Sequence, residues 1–421
     1  MAMLMVTALV PVQAARAAVE AVPGEVLVQL FDGNGLQPLL VKYGLSLTAR
    51  FGARPIFRLA VPPGGDADAV ARALAAEPGV LRAERNVMQR SPEARRNLVW
   101  AIGSPAAYQV QWAPAALQLP AAQAITRGAG MRVAVLDTGV DAGHPALAGH
   151  LLPGRDFVDG DNDPSEVGTT LDLGFGHGTH VAGLVALAAP EARIVPLRVL
   201  DASGTGNTWV LAEALLHAVD PDGNPATADG AHVINLSLGT PTRTRILDVV
   251  AELAACAMPA PTDREANAFA DPGYNADRER CAAGGGAVIV AAAGNDGSVS
   301  TRDYPAAESV YGLISVTASS ADGQLASVAN SGSWIQAAAP GDGITSAVPG
   351  GGFAVWSGTS MAAPLAAGVA ALVRAVHPAS APRDVVRQMV RSGVGLCGTH
   401  IPQLDALRAI VGTTKDAPLC R

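Results

Sequence analysis

The stretch Met131–Asp137, MRVAVLD, is an apolar run that ends at a carboxylate. An apolar run of this length predicts a strand that is buried on both faces of a sheet. Similar runs recur downstream as ARIVPLRVL, HVINLSL, AVIVAAAG and LISVTAS, and helical patterns such as THVAGLVALAA lie between them. Strands that alternate with helices predict an α/β fold, with a parallel sheet and helices on both faces. Functional side chains are then expected beyond the carboxyl ends of the strands.

Two of these runs end at polar side chains. Asp137 comes just before the turn residues Thr138 and Gly139, and Asn295 follows AVIVAAAG. From the residues alone, Asp137 is either part of an Asx turn or an acid that orients another side chain. Asn295 is either a turn residue or a hydrogen-bond donor to an oxyanion.

The segment GHGTHVAG, residues 176–183, opens a predicted helix and carries two histidines three residues apart. Helical zinc sites of the metalloprotease type place two histidines four residues apart with a Glu beside the first, so this spacing argues against zinc. His177 lies between two glycines and is open to approach, as a general base must be. His180 is expected to pack within the helix.

The segment GTSMAAP, residues 358–364, places Ser360 at the start of an Ala-rich apolar helix. Ser360 is either a helix cap or a nucleophile, because a helix N-terminus offers free N–H groups and positive potential to an oxyanion. A nucleophilic serine also needs a general base and an orienting acid.

The motifs DTGVDAGHP, GHGTHVAG, AAAGNDG and GTSMAAP stand in this order along the chain. Together they resemble the subtilisin-like serine proteases (subtilases, peptidase family S8), and the resemblance covers roughly Gln111 to the C-terminus. It implies a secreted endopeptidase with Ser360 as nucleophile, His177 as general base and Asp137 as orienting acid. Asn295 and the Ser360 N–H would then form the oxyanion hole.

The resemblance also implies a cleft in which an extended peptide pairs with the enzyme by strand addition. The substrate-binding residues that it assigns are Gly204, Gly206, Ser237, Leu238, Gly239 and Gly294. Tyr304-Pro305 resembles the segment that closes the pocket for the residue before the cut. Asp303 would either lie at the foot of that pocket and favour Arg or Lys, or turn outward and pair with Arg302.

Residues 24–90 predict the element order β-α-β-β-α-β, which is a split βαβ, ferredoxin-like unit. This unit resembles the inhibitory, inhibitor I9-like propeptide of the family. The predicted domains are a signal peptide at 1–17, a propeptide at 20–90, a linker and processing region at 91–110 and a peptidase domain at 111–421. The signal peptide rests on an apolar stretch followed by Ala15-Arg16-Ala17. A buried N-terminal strand or helix is the alternative, since no Lys or Arg precedes Arg16.

The composition of the chain limits the classes of partner that it is expected to bind. The net charge is −8, charged residues make up 16% and no basic cluster occurs, which argues against nucleic-acid binding. We expect polypeptide substrates, the chain's own propeptide as inhibitor, no membrane contact after processing, and a monomer. No metal or cofactor is expected, because the family's calcium-loop insertion is missing and Ala146 stands where calcium-binding relatives have Asp. The acidic run Asp156–Pro164 is interpreted as a solvated turn rather than a cation site.

Four cysteines allow three disulfide pairings, and we favour the near neighbours Cys256–Cys281 and Cys397–Cys420. The segment between the first two is predicted to be an exposed loop. Two rival functions remain open at this point: a catalytically silent subtilase scaffold that binds peptides, and a processing protease with narrow specificity.

Overall fold

The computed structural model describes residues 20–93, 101–257 and 270–413. Its strands are β1 (Ala21–Leu30), β2 (Ser46–Arg50), β3 (Ile56–Ala60), β4 (Val80–Arg90), β5 (Ala101–Ile102), β6 (Arg132–Asp137), β7 (Arg155–Asp156), β8 (Arg193–Arg198), β9 (Thr205–Asn207), β10 (Val233–Leu236), β11 (Val288–Ala292), β12 (Leu313–Ser319), β13 (Ala337–Pro340), β14 (Ile344–Val348), β15 (Gly352–Trp356), β16 (Val394–Gly395) and β17 (Pro402–Gln403). Its α-helices are α1 (Leu36–Tyr43), α2 (Ala67–Ala75), α3 (Pro105–Val110), α4 (Trp112–Ala116), α5 (Leu119–Gln123), α6 (His177–Ala188), α7 (Thr208–Val219), α8 (Arg245–Ala254), α9 (Asn275–Ala282), α10 (Thr359–Val376), α11 (Pro382–Ser392) and α12 (Ala406–Val411). The predicted signal peptide at 1–17 and Cys420 lie outside the described residues.

The N-terminal unit from β1 to β4 has an antiparallel sheet of its own, in the order β2-β3-β1-β4. Val28, Leu59 and Leu74 are fully buried in its separate core. Helix α2 begins where the Asp66 side chain accepts hydrogen bonds from two free N–H groups of the first turn, which is ordinary N-capping. The element order and the strand order are those of the predicted ferredoxin-like unit.

The central sheet of the described chain has nine strands in the order β16-β17-β13-β12-β11-β10-β6-β8-β7. All neighbours from β17 to β7 are parallel, and only β16 pairs in the antiparallel direction. Helices α6 and α10 bury their apolar residues against one face, and α7 and α8 bury theirs against the other. The predicted α/β fold, with helices on both faces of a largely parallel sheet, is confirmed. Its carboxyl ends bring β6, β10 and β11 together at one edge.

Helix α10 is long and apolar enough to cross a membrane, but 89% of it is buried inside the protein. It packs directly on α6, and a Cβ at Gly368 would lie 2.3 Å from the Cβ of Ala188. A side chain at position 368 would clash at that distance. Because Gly368 has none, the two helices can pack together. The apolar character of α10 is therefore that of a core helix.

The predicted linker at 91–110 is wrong for residues 101–110. Strand β5 pairs with β15, and α3 begins at Ser104, whose Oγ accepts from the Ala107 N–H at 3.1 Å. Tyr108 is buried, and its hydroxyl donates to the Gly183 carbonyl at 2.7 Å. A Ser cap followed by Pro at the first helical position favours the start of a helix. The segment therefore forms a helix although its composition is typical of a linker. These residues pack as part of the C-terminal unit.

The predicted Cys256–Cys281 disulfide is present and joins the end of α8 to α9. The prediction of an exposed loop between these cysteines is wrong for its described part, residues 270–280. Tyr274 there is fully buried, and its hydroxyl accepts from the Gln29 side chain of the N-terminal unit at 2.8 Å. Burial of this large ring gives the segment a fixed place against the N-terminal unit.

Candidate active site

Three polar side chains meet at the carboxyl edge of the sheet. Asp137 is the last residue of β6, His177 is the first of α6, and Ser360 is the second of α10. Each is at most 1% exposed. The chain enters α6 through Gly176 at φ 85°, a left-handed conformation that favours glycine.

Asp137 holds one edge of the His177 ring. His177 Nδ1 lies 2.6 Å from Asp137 Oδ1, and the same oxygen accepts from the Thr138 N–H at 2.8 Å. Because an ionised carboxylate only accepts hydrogen bonds, Nδ1 carries a proton. This contact fixes the ring so that Nε2 points away from Asp137 and toward Glu93, whose Oε2 lies 3.1 Å from it.

A carboxylate that the sequence analysis did not single out lies between His177 and Ser360. Ser360 Oγ donates to Glu93 Oε2 at 2.6 Å, and His177 Nε2 lies 3.1 Å from the same oxygen. The other oxygen, Glu93 Oε1, accepts from Asn295 Nδ2 at 2.7 Å. Glu93 is 5% exposed, so three polar side chains of the site share one buried carboxylate.

The two carboxylates around His177 keep its ring charged. Burial alone would lower the pKa of His177, but the charges and hydrogen bonds of Asp137 and Glu93 outweigh burial and raise the pKa to about 10. Burial would raise the pKa of Glu93, but hydrogen bonds and charge from His177, with the Ser360 hydroxyl, lower it. Glu93 and His177 therefore form a buried ion pair at neutral pH.

The Asn295 side chain is held in one orientation by α10. Its Oδ1 accepts from the Thr359 N–H at 2.8 Å and from the Thr359 hydroxyl at 3.0 Å. A backbone N–H can only donate, so the oxygen must face Thr359. The amide nitrogen then faces Glu93, the carboxylate that Ser360 Oγ also contacts.

A strand from the N-terminal unit fills the cleft that leads to Ser360. Met88, Gln89 and Arg90 pair antiparallel with β9. On the opposite side, the Arg90 N–H donates to the Gly239 carbonyl at 3.0 Å, and the Gly239 N–H donates to the Arg90 carbonyl at 2.9 Å. The cleft thus binds an extended segment through main-chain hydrogen bonds on both edges.

The Peptidase S8 profile, described as the subtilase family, matches residues 128–406. The chain belongs to the subtilase family. A second profile, the fervidolysin N-terminal prodomain, matches residues 8–86. That match begins inside the predicted signal peptide and covers most of the N-terminal unit.

Among curated subtilases, the chain is 35% identical to the thermophilic serine proteinase of Bacillus sp. (strain AK1) over 73% of this chain and 66% of that protein. It is 36% identical to thermitase of Thermoactinomyces vulgaris over 62% of this chain and 81% of thermitase. The chain thus spans just under two thirds of the first relative and about four fifths of the second. These relationships agree with the subtilase family that the profile shows.

The crystal structure of fervidolysin from Fervidobacterium pennivorans aligns over 95% of this subtilase and 62% of that chain, with a TM-score of 0.70 and 22% identity. A Pseudoalteromonas arctica protease aligns over 70% of this chain and 94% of its own, with a TM-score of 0.57 and 29% identity. The first of these likenesses extends over both units, and at its level of identity it shows the fold alone.

The structure places the predicted substrate-binding residues around the filled cleft. The Gly204 carbonyl accepts from the Ser91 N–H at 3.0 Å, and Gly206 pairs with Gln89. The Ser237 carbonyl accepts from Ser360 Oγ at 3.3 Å. The Leu238 side chain is buried and belongs to the apolar core.

Asp303 points inward, and its predicted outward alternative is wrong. The side chain is 1% exposed. A Cβ at Gly294 would lie 2.2 Å from its Oδ2, and a Cβ at Gly239 would lie 3.0 Å from its Oδ1. The carboxylate therefore occupies the slot between the backbone segments that carry Gly239 and Asn295, and the two glycines leave room for it.

Glu166 supports the site from behind, and the sequence analysis missed it. Its Oε1 accepts from the Thr138 hydroxyl at 3.0 Å and from the Thr179 N–H at 3.1 Å, and its Oε2 accepts from the Gly176 N–H at 3.0 Å. Burial raises the pKa of Glu166 to about 7. The residue ties the loop after Asp137 to the start of α6. A lone Glu in a polar loop gives no sequence signal for this role.

His180 and the acidic run Asp156–Pro164, both considered in the sequence analysis, contact other side chains in the structure. His180 packs parallel to Trp356 with 4.7 Å between ring centroids, which agrees with a packing role. In the acidic run, Asp159 pairs with Arg198 at 2.5 Å, and Asp156 bonds the same guanidinium. Within the described residues, no group of three or more His, Cys, Asp or Glu side chains is arranged to hold a metal ion.

Proposed function

We propose that this subtilase is a secreted serine endopeptidase made as an autoprocessed zymogen. Ser360 attacks the peptide carbonyl, His177 takes and returns the proton, and Asp137 orients His177. Asn295 Nδ2 and the Ser360 N–H stabilise the oxyanion. The observation that supports this best is the single Glu93 carboxylate bound by Ser360, His177 and Asn295 together. A group of donors that binds one carboxylate is suited to bind an oxyanion.

Labelling with a fluorophosphonate probe tests the proposed chemistry. The activated serine of a working protease forms a stable adduct with this probe, and we expect the adduct on Ser360 of the processed protein. Cleavage of a mixed peptide library separates a broad endopeptidase from a narrow processing protease. A processed protein that binds peptides but neither labels nor cleaves would instead be a silent scaffold.

The contacts of the N-terminal unit support its role as an inhibitory propeptide. Arg54 makes two hydrogen bonds of 2.7 Å to Asp277 across the boundary between the units. Glu84 accepts from two free N–H groups at the start of α8, which is favourable charge at a helix N-terminus. With the strand in the cleft, these contacts hold the unit over the site and block substrates.

We expect removal of the N-terminal unit by a cut between Arg90 and Gln111. Since β5 and α3 pack on the peptidase part, the cut should fall between Glu93 and Ala101. N-terminal sequencing of active protein locates it. A mature protein that starts at or before Val80 would contradict the propeptide assignment, because β4 would then remain in the cleft.

Secretion is proposed on two grounds. The predicted signal segment precedes the propeptide, and the Cys256–Cys281 disulfide favours an oxidising compartment. We therefore propose that the protein acts in the extracellular space or periplasm. That it is a monomer stays a prediction.

Asp303 is expected to select a basic residue before the cut. By the resemblance of Tyr304-Pro305 to the segment that closes the pocket for that residue, Asp303 would lie at the foot of the pocket. Its carboxylate is buried between Gly239 and Gly294. A buried carboxylate pairs well with Arg or Lys. We expect kcat/KM to favour Arg over Leu in matched peptides, and Asp303→Asn to lower this preference by about tenfold or more.

The matched control for this preference is Asp322→Asn, which removes the same charge from an exposed loop. It should leave the Arg-to-Leu ratio unchanged. If the wild type prefers Leu or Phe, and Asp303→Asn does not move the ratio, Asp303 plays no part in selection.

A further inference from the structure

Glu93 is an acidic side chain that reaches the site from the segment just after β4. Main-chain pairing in the cleft extends through Ser91, and the chain turns at Pro92 and Glu93. Pro92 has no N–H to donate, so the ladder cannot continue through it. The turn places the Glu93 side chain, rather than the extended main chain, against Ser360 Oγ.

We propose that the Glu93 side chain is a built-in carboxylate ligand of the active site, which holds the zymogen latent by taking the place of a product carboxylate. This inference rests on the proposed function and specifies how the propeptide inhibits. The inhibitory group is one side chain, not only the strand that precedes it.

The positions of the two oxygens fit this role. Hydrolysis of an acyl-enzyme leaves a carboxylate with one oxygen at the oxyanion donors and the other beside the serine and the histidine. Glu93 Oε1 is 2.7 Å from Asn295 Nδ2, and Oε2 is 2.6 Å from Ser360 Oγ and 3.1 Å from His177 Nε2. A side-chain carboxylate has no amide bond to cleave, so it binds as a ligand and is not turned over.

Gly358 gives the carboxylate its room. A Cβ at this position would lie 2.1 Å from Glu93 Oε1 and 2.7 Å from Asn295 Nδ2. The space above Gly358 is therefore the binding position of one carboxylate oxygen. That space adjoins the start of α10, where the helix adds positive potential.

The ion pair with Glu93 also disables the base. His177 shares its two ring protons with Asp137 and Glu93, and a protonated imidazole cannot take the proton of Ser360. The other titratable groups near this pair are His180 on α6, whose pKa burial lowers to about 3, and Glu166 behind Asp137. His180 therefore stays neutral across the working pH range.

Latency should weaken as the pH rises. The pKa of His177 is about 10 with Glu93 bound, and it falls when Glu93 leaves, because a neighbouring negative charge is lost. Because the pKa of His177 is higher with Glu93 bound, His177 stabilises the bound state fully at a pH below its unbound pKa. That stabilisation is lost as the pH approaches 10. Glu84, whose pKa burial raises to about 7, titrates in every variant compared below.

The test measures how fast a fluorophosphonate labels Ser360 in full-length precursor. Wild type, Glu93→Gln and Glu20→Gln are compared from pH 6 to pH 10, and intact mass spectrometry counts only unprocessed molecules. Each rate is divided by that of processed wild-type enzyme at the same pH. Glu20→Gln is the control, because it removes the same charge beside the cleft strand, where Glu20 pairs with Arg90 in an exposed position.

We expect the Glu93→Gln precursor to label about tenfold faster than wild type at pH 7, and Glu20→Gln to label like wild type. The normalised wild-type rate should rise toward pH 10, and that of Glu93→Gln should rise less. A folded Glu93→Gln precursor that labels as slowly as wild type at every pH would overturn the proposal.

Circular dichroism and a thermal melt establish that each precursor is folded. If Glu93→Gln does not fold, Glu93→Asp is compared in its place, because its shorter side chain keeps the charge but cannot reach all three donors. Faster labelling of this variant supports the proposal, and an unchanged rate overturns it. If processed wild-type protein does not label at all, the proposed protease function fails instead, so the two failures are distinguishable.

Discussion

Replacement of Ser360 by Ala should lower kcat by about 10⁶ and leave purified precursor uncut, a loss of the size found when this serine is removed from a subtilisin. Ser360 Oγ is the only hydroxyl that shares the Glu93 carboxylate with His177 and Asn295 among the described residues. Without it no acyl-enzyme can form, and only the oxyanion donors and substrate binding remain. Peptide hydrolysis and the mass of the precursor over time are the two measurements.

The control for this variant is Ser357→Ala. Ser357 is three residues earlier, and its hydroxyl donates to Asp342 at 2.8 Å, away from the cleft. It should process and hydrolyse peptides like wild type. Mature-size protein formed from purified Ser360→Ala precursor, with no other protease present, would contradict the assignment of the nucleophile.

Replacement of Asp137 by Asn should lower kcat by about 10⁴, the effect of the same change in a serine protease triad. Asp137 Oδ1 accepts from His177 Nδ1 and from the Thr138 N–H. Asn at this position is neutral. If its amide N–H faces His177 Nδ1, the ring proton must move to Nε2, and a protonated Nε2 cannot accept the proton of Ser360. The protein should still fold, because the two side chains have nearly the same shape.

The pH profile of kcat/KM provides a second readout for Asp137→Asn. The Asp137 charge raises the pKa of His177, so its removal should shift the acidic limb of the profile to lower pH. The control is Asp141→Asn, which removes the same charge from the loop after Asp137. It should leave the acidic limb of the kcat/KM profile at the same pH. A loss of less than about tenfold, with an unmoved limb, would show that Asp137 does not orient the base.

The central sheet and the positions of Asp137, Asn295, His177 and Ser360 were predictable from sequence. Each lies at or just after a strand end, or at the first turn of a helix, and these boundaries are set by local patterns of apolar residues, glycine and small polar residues. Because the carboxyl ends of parallel strands share one edge of a sheet, local patterns were enough to place residues from distant motifs together.

Residues 91–110 and Glu93 were not predictable in this way. Composition marked the segment as a linker, yet Ser104 and Pro105 start a helix that packs on the peptidase part. Glu93 lies 267 residues from Ser360 in the sequence, and its carboxylate is bound because the docked N-terminal unit brings it there. No local pattern encodes a contact of that kind.

By itself, the sequence determined a subtilase-type α/β domain preceded by a ferredoxin-like unit, because periodicity and motif order are local properties of the chain. Only the tertiary structure decided that Asp303 points inward, that Glu166 braces the loop after Asp137, and that Glu93 occupies the site. Asp303 and Glu93 are buried carboxylates and Glu166 is a partly buried one, and the free energy of burying a charge depends on the donors that surround it. Those donors come from segments far apart in the chain, so only the packed structure brings them together.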